Sequence, residues 1–154
     1  MEVIEAMGEN CSWLETELAK FNLETNLNPR VFENSCLNDM ENEIREYLGK
    51  IDATLEQFDA KIALTGILPT IQKFNLELES LTPKKRYRAL MDSIIDQLEG
   101  NTFELKLEGI DEFHIRHNSP MIEAANTSFQ GHLQVNQYEF VKMYNIAQAI
   151  AGPV

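Results

Sequence analysis

Polar and apolar positions along the chain change period several times, and each change marks an element. Leu23, Thr25 and Leu27 alternate with Asn22, Glu24, Asn26 and Asn28, the period-two signature of a half-buried strand. Pro29 and the polar Glu33-Asn34-Ser35 stretch end it. Met40, Ile44, Leu48, Ile51, Leu55 and Phe58 then recur at steps of four and three, which predicts a helix over about 38–59. Asn38 with Glu41 has the spacing of a capping box, and Glu41, Glu43, Arg45, Glu46 and Lys50 fall on the solvated face. The apolar run 62–68 is of strand length. Thr82-Pro83 resembles an N-cap followed by proline at the first helical position. It opens a second helix, reaching about Glu99, with Tyr87, Leu90, Ile94 and Leu98 on one side.

Beyond Gly100-Asn101, Phe103, Leu105 and Leu107 alternate with Glu104, Lys106 and Glu108 as a strand. Residues 109–120, with His114, Arg116 and His117, are expected to form a loop, and 127–135 a further alternating strand. Asn136 and Glu139 make a second capping-box candidate, ahead of a last helix over about 137–151 that is expected to bury Phe140, Tyr144 and Ala147. The order β, α, β, α, β, β, α implies an α+β fold: a mixed, mostly antiparallel sheet with helices packed on one face. The length of 154 residues suits a single domain or domain fragment.

Composition narrows the partners. A hydrophobic share of 44% is that of a globular chain. The net charge of −12 disfavours non-specific binding to nucleic acid or to an anionic membrane. No apolar run reaches the roughly 18 residues of a membrane span, and the acidic start, Met1-Glu2-Val3-Ile4-Glu5, lacks the basic and apolar regions of a signal peptide. A reduced, cytoplasmic setting is expected. In it Cys11 and Cys36 act as small, part-buried apolar residues, since neither a CxxC nor a second Cys/His pair is present. The phosphate-binding loops GxxxxGK[ST] and GxGxxG are missing, as is G-x-S-x-G.

Two polar faces and one basic cluster carry the candidate chemistry. Period two sets Ser128, Gln130, His132 and Gln134 on one side of the 127–135 segment. A row of neutral polar groups with an imidazole suits a sheet face lining a polar cavity, and equally a polar strand left in water. Asn22, Glu24, Asn26 and Asn28 offer oxygens for Mg²⁺ or a substrate amine, although Asn28-Pro29 is also a turn signal. Lys84-Lys85-Arg86-Arg88 places cations at a helix start, against the helix dipole. Arg86 and Arg88 are the better candidates for a carboxylate or phosphate, because a guanidinium binds such groups in bidentate fashion.

Taken in order, several stretches resemble one family. Leu64-Thr65-Gly66-Ile67-Leu68-Pro69 resembles a TG-x-x-P strand end, and Thr82-Pro83-Lys84-Lys85-Arg86-Tyr87 a PK-x-RY helix start. Met121 through Val135 resembles a central strand, and Ala147 through Pro153 the helix after it; Phe21 to Thr25 fits an early strand. The chain, over about 18–154, is similar to the glutamate–cysteine ligase type 2 family of carboxylate–amine ligases. The resemblance implies a fold like that of glutamine synthetase. It also implies the use of ATP and Mg²⁺ to activate a glutamate-like acid, whose acyl phosphate is attacked by an amine such as cysteine, as in glutathione biosynthesis. It assigns substrate contacts to Arg86, Gln130 and Gln134, cofactor contacts to His132 and Gln134, and metal contacts to Glu24 and His132. Asn22 stands where many relatives have a glutamate, which counts against a metal role there. Relatives have an additional acidic strand before this region and continue beyond Gly152-Pro153. The expectation is therefore an internal segment of the catalytic domain, inactive alone and able to cover its open sheet edges as a homodimer. The alternative is a non-catalytic ligand-binding or regulatory module that keeps the fold.

Overall fold

The computed structural model describes residues 2–8 and 11–153. Among the described residues are five α-helices: α1 (Glu2–Met7), α2 (Cys36–Leu55), α3 (Lys85–Gln97), α4 (Met121–Ala124) and α5 (Phe140–Ile150). Four strands pair as two antiparallel ribbons, β1 (Leu14–Thr16) with β2 (Leu23–Thr25) and β3 (Phe103–Glu108) with β4 (Glu112–His117). The fold class is α+β. No helix among the described residues is long and apolar enough to cross a membrane.

A main core gathers Ala19, Leu76, Leu81, Tyr87, Met91, Met121, Ala124 and Ala125. Backbone bonds tie its parts together: Lys20 N–H donates to Ser80 O at 2.9 Å and Thr82 N–H to Leu18 O at 2.8 Å. Thr82 does not cap α3 as expected. Its hydroxyl donates instead to Glu17 O at 2.7 Å, and Lys84 takes the N-cap position. Satisfying a buried carbonyl outweighs a cap that water can replace. At the other end of α3, Glu99 and Gly100 adopt φ of 50° and 83°, the left-handed turn that stops a helix.

A smaller core joins Leu14 to Ile51 and Leu55 of α2. Helix α2 starts at Cys36, so Asn38 lies inside it rather than at a cap. Its buried stripe is Glu43, Tyr47, Ile51 and Leu55, rotated from the expected one. Two features turn it. The Tyr47 ring stacks on Trp13 with centroids 3.9 Å apart. The Glu43 carboxylate, expected on the solvated face, accepts hydrogen bonds from Tyr47 Oη at 2.7 Å and Arg30 Nη1 at 2.6 Å, and a further one from Asn28 Nδ2. Burial alone would push the Glu43 pKa up; the bonds from Arg30, Tyr47 and Asn28 outweigh it and hold the value at about 2.

Three other expectations are corrected. Residues 112–117, expected in a loop, form β4, with Leu105 opposite Ile115 and Leu107 opposite Phe113. Its Phe113 and Ile115 do alternate with polar residues, but the charged side chains between them mask the pattern. The segments 62–68 and 127–135, expected as strands, are irregular. They touch where Thr127 N–H donates to Gly66 O at 2.7 Å and the Thr127 hydroxyl donates to Thr65 O, but no ladder extends from that point among the described residues. Alternation says which face a strand would bury, not that a partner strand lies beside it. Finally, α5 buries none of its residues: Phe140 is 57% and Tyr144 53% exposed. The expected capping box does not form: Glu139 is the N-cap, and Asn136 Oδ1 accepts from Tyr138 N–H at 2.9 Å and Glu139 N–H at 3.0 Å in the turn before the helix.

Candidate functional site

The β1–β2 ribbon sets Glu15 directly opposite Glu24. Thr16 follows Glu15 and anchors the ribbon to α3, because the Tyr87 hydroxyl donates to Thr16 O at 2.9 Å. That bond draws the first turn of α3 against the ribbon. Arg86 Nη2 donates to Tyr87 Oη at 2.9 Å and lies 3.9 Å from Glu15 Oε2. Its guanidinium sits 4.8 Å from the centre of the Tyr87 ring. The cations of the Pro-Lys-Lys-Arg-Tyr stretch are thereby brought to the acidic strand pair.

The electrostatics couple the same groups. Loss of solvent around Glu24, a side-chain hydrogen bond with Glu17 and repulsion from Glu17 and Glu15 raise its pKa, while Arg86 pulls it down. The Tyr87 oxygen, and beyond it Glu15 and Glu24, hold Arg86 still more firmly in its charged form.

Beside this cluster opens a cavity of about 310 Å³ lined by Ile4, Glu5, Leu14, Glu15, Thr16 and Lys84. The Thr16 hydroxyl is buried and has no hydrogen-bond partner among the described residues. An unpaired buried hydroxyl carries a desolvation cost of roughly 1–3 kcal/mol. Lys84 faces the cavity with one sign of charge, Glu5 and Glu15 with the other. Such a cleft can take a zwitterion: Lys84 toward a carboxylate, Glu5 and Glu15 toward an ammonium.

Of the residues expected to act together, the structure unites Arg86 and Glu24 around Glu15. Gln130, His132 and Gln134 lie apart from any ribbon, exposed in the irregular segment after α4. Asn22 is 6% exposed and donates through Nδ2 to Ala124 O at 3.2 Å, which ties it to the core. Arg88 faces outward, 3.5 Å from Asp92. His114 and Arg116 contact Glu104 across the second ribbon. Among the described residues no group of three or more His, Cys, Asp or Glu is placed to hold a metal ion. Glu24 lies in β2 and His132 in the irregular segment after α4. Sequence reasoning missed Glu5, Glu15 and Thr16 and ranked Lys84 low. The Glu15-Thr16-Glu17 alternation was a signal, but only strand register reveals Glu24 as its partner. No protein-family model, curated protein or solved structure matches the chain.

Proposed function

We propose that the chain is a segment of the catalytic domain of an ATP-dependent carboxylate–amine ligase, contributing part of the site for an amino-acid substrate. The observation that carries the reading is the cleft of opposite charges formed where the Pro-Lys-Lys-Arg-Tyr stretch meets β1. Three of the stretches that resemble the ligase family also meet in the main core, through Phe21, Tyr87 and Met121. Asn22 reaches Ala124, and Tyr87 reaches Thr16. In this reading Lys84 holds the substrate carboxylate, Glu15 holds its ammonium, and the Arg86 guanidinium, 3.9 Å from Glu15 Oε2, keeps that carboxylate in place. ATP and Mg²⁺ would supply activation of the acid in the whole enzyme, in a cytoplasmic setting, and no residue of this cleft is assigned to them. Gln130, His132 and Gln134 stand as contacts for the nucleotide or the second substrate once their segment pairs with a partner strand.

Calorimetric titration with glutamate tests the cleft. Lys84→Ala and Arg86→Ala are each expected to weaken binding about tenfold, the scale of one charge-assisted hydrogen bond. Equal affinity in both variants and in the parent chain sinks the substrate assignment. A titration with Mg·ATP beside His132→Ala tests the nucleotide side separately. A non-catalytic binding module is the second reading, favoured by Asn22 being spent on Ala124 O. Amide formation by the full-length protein separates the two, since only the ligase turns over.

A further inference from the structure

The β3–β4 ribbon has no third strand among the described residues. Residues 112–117 make no backbone hydrogen bond outside the ribbon, and no helix packs along either strand. The outer edge of β4 is therefore a free row of donors and acceptors, a template for another strand. A two-stranded ribbon alone is marginal in water, whereas more strands sharing an apolar face are stable. That face exists here: Leu107 is 56% and Phe113 51% exposed. The opposite face carries the charges, and they are unevenly satisfied. Glu104 contacts His114 Nε2 at 2.5 Å and Arg116 Nη2 at 3.3 Å, and Lys106 pairs with Glu108. Glu112 makes no ion pair among the described residues, and its neighbour across the ribbon is Glu108, of like charge.

The order Glu112-Phe113-His114-Ile115-Arg116 is complementary to itself. Set antiparallel against β4 of a second copy, with a two-fold axis at His114, Glu112 lies opposite the partner's Arg116, and Arg116 opposite the partner's Glu112. On the apolar face Phe113 lies opposite the partner's Ile115. Residues directly opposite one another in an antiparallel ladder share a face, and pairs of opposite charge or of aromatic with β-branched side chains stabilise it there. The two-fold makes each pair occur twice. Arg116 already meets Glu104, but the five N–H donors of a guanidinium serve two carboxylates. A net charge of −12 opposes self-association over most of the surface. Strand β4, with one acid and one guanidinium, escapes that repulsion. We propose that two copies of this chain pair edge to edge through β4, forming a four-stranded antiparallel sheet in the order β3-β4-β4-β3. The pairing uses no residue of the Glu15–Lys84 cleft and does not rest on the ligase reading.

Analytical ultracentrifugation of the full chain tests this. The expected result is a monomer–dimer equilibrium with a Kd in the micromolar range. Glu112→Arg should weaken it at least about tenfold, because both charge pairs across the edge become repulsive. Within the ribbon the same change turns the repulsion from Glu108 into attraction, so the fold should hold, and an unchanged circular dichroism spectrum verifies that. Arg116→Glu should weaken self-association likewise. An equimolar mixture of the two variants should dimerise where neither does alone, since every acid then faces a guanidinium across the edge. A chain that remains monomeric at about 100 µM, well above such a Kd, overturns the proposal. A dimer indifferent to Glu112→Arg overturns it as well, by placing the interface elsewhere, as on α5.

Discussion

Helix α3 turns Tyr87 and Met91 into the main core, whereas α5, with more apolar residues in fewer positions, leaves Phe140 57% and Tyr144 53% exposed. Both have helical spacing. The difference lies in what faces them. The core side of α3 meets Ala19, Leu76, Leu81 and Met121, drawn from three separate parts of the chain. Helix α5 follows a segment, 127–135, that makes no ladder among the described residues and exposes Phe129 and Leu133 to 70% and 64%. An apolar stripe specifies a helix; only a facing surface turns it into stability.

Substitution along the two helices should expose that contrast most strongly. Met91 is 2% exposed, and Met91→Ala is expected to cost about 3 kcal/mol through lost transfer energy and a residual cavity. Tyr144→Ala should change stability by less than about 0.5 kcal/mol, as for surface positions generally. Urea unfolding of the two variants measures both. A cost at Tyr144 approaching that at Met91 would mean α5 is packed in solution, against a second copy or a partner strand, and the contrast would dissolve.

Much of this was readable in the residues, and the failures share a cause. The helices at 36–55, 85–97 and 140–150 follow from spacing, as do β2 and β3. Spacing is local, however, and burial is not. Glu43 reads as solvated because it is charged, yet it is 8% exposed, since Arg30 and Asn28, thirteen and fifteen residues earlier, fold back onto it. At the candidate site, Arg86 and Glu24 were legible as chemistry. The cavity itself was not, because Glu5, Glu15 and Lys84 are neighbours only once β1 pairs with β2 and Tyr87 reaches Thr16.

Glu43 gives the next effect in size and sharpens the comparison, being a charge that is buried where α5 leaves aromatics in water. Its folded-state pKa, about 2, lies below the ordinary 4.5. The stabilisation is thus fully present above pH 4.5 and is lost as pH falls toward 2. Glu43→Gln should cost about 2 kcal/mol at neutral pH, less than outright loss of a buried partner because the amide oxygen still accepts. The variant should also unfold with a shallower dependence on acid over that window. Urea midpoints measured across pH check both, and an unchanged acid slope would remove Glu43 from the network's role.

Glu24 carries the smallest effect, with the opposite sign. Its pKa is raised in the folded chain, by loss of solvent first and by Glu17 and Glu15 after that. A raised carboxyl binds its proton more readily when folded. Its charge therefore opposes folding at neutral pH, and the opposition is relieved as pH falls through the raised value. Glu24→Gln removes that charge and should stabilise the chain at neutral pH by a few tenths of a kcal/mol, a small gain because the side chain is exposed and screened. The gain should vanish in acid, where the native carboxyl is already protonated, and it should shrink in a Glu17→Gln background, where the main repulsive neighbour has gone. Thermal unfolding of the single and double variants at two pH values reads this out. A loss of stability in Glu24→Gln would show that Arg86 outweighs the paired glutamates. The ribbon would then be held together by attraction, and the cleft beside it would lose the surplus negative charge that recognition of a substrate ammonium requires.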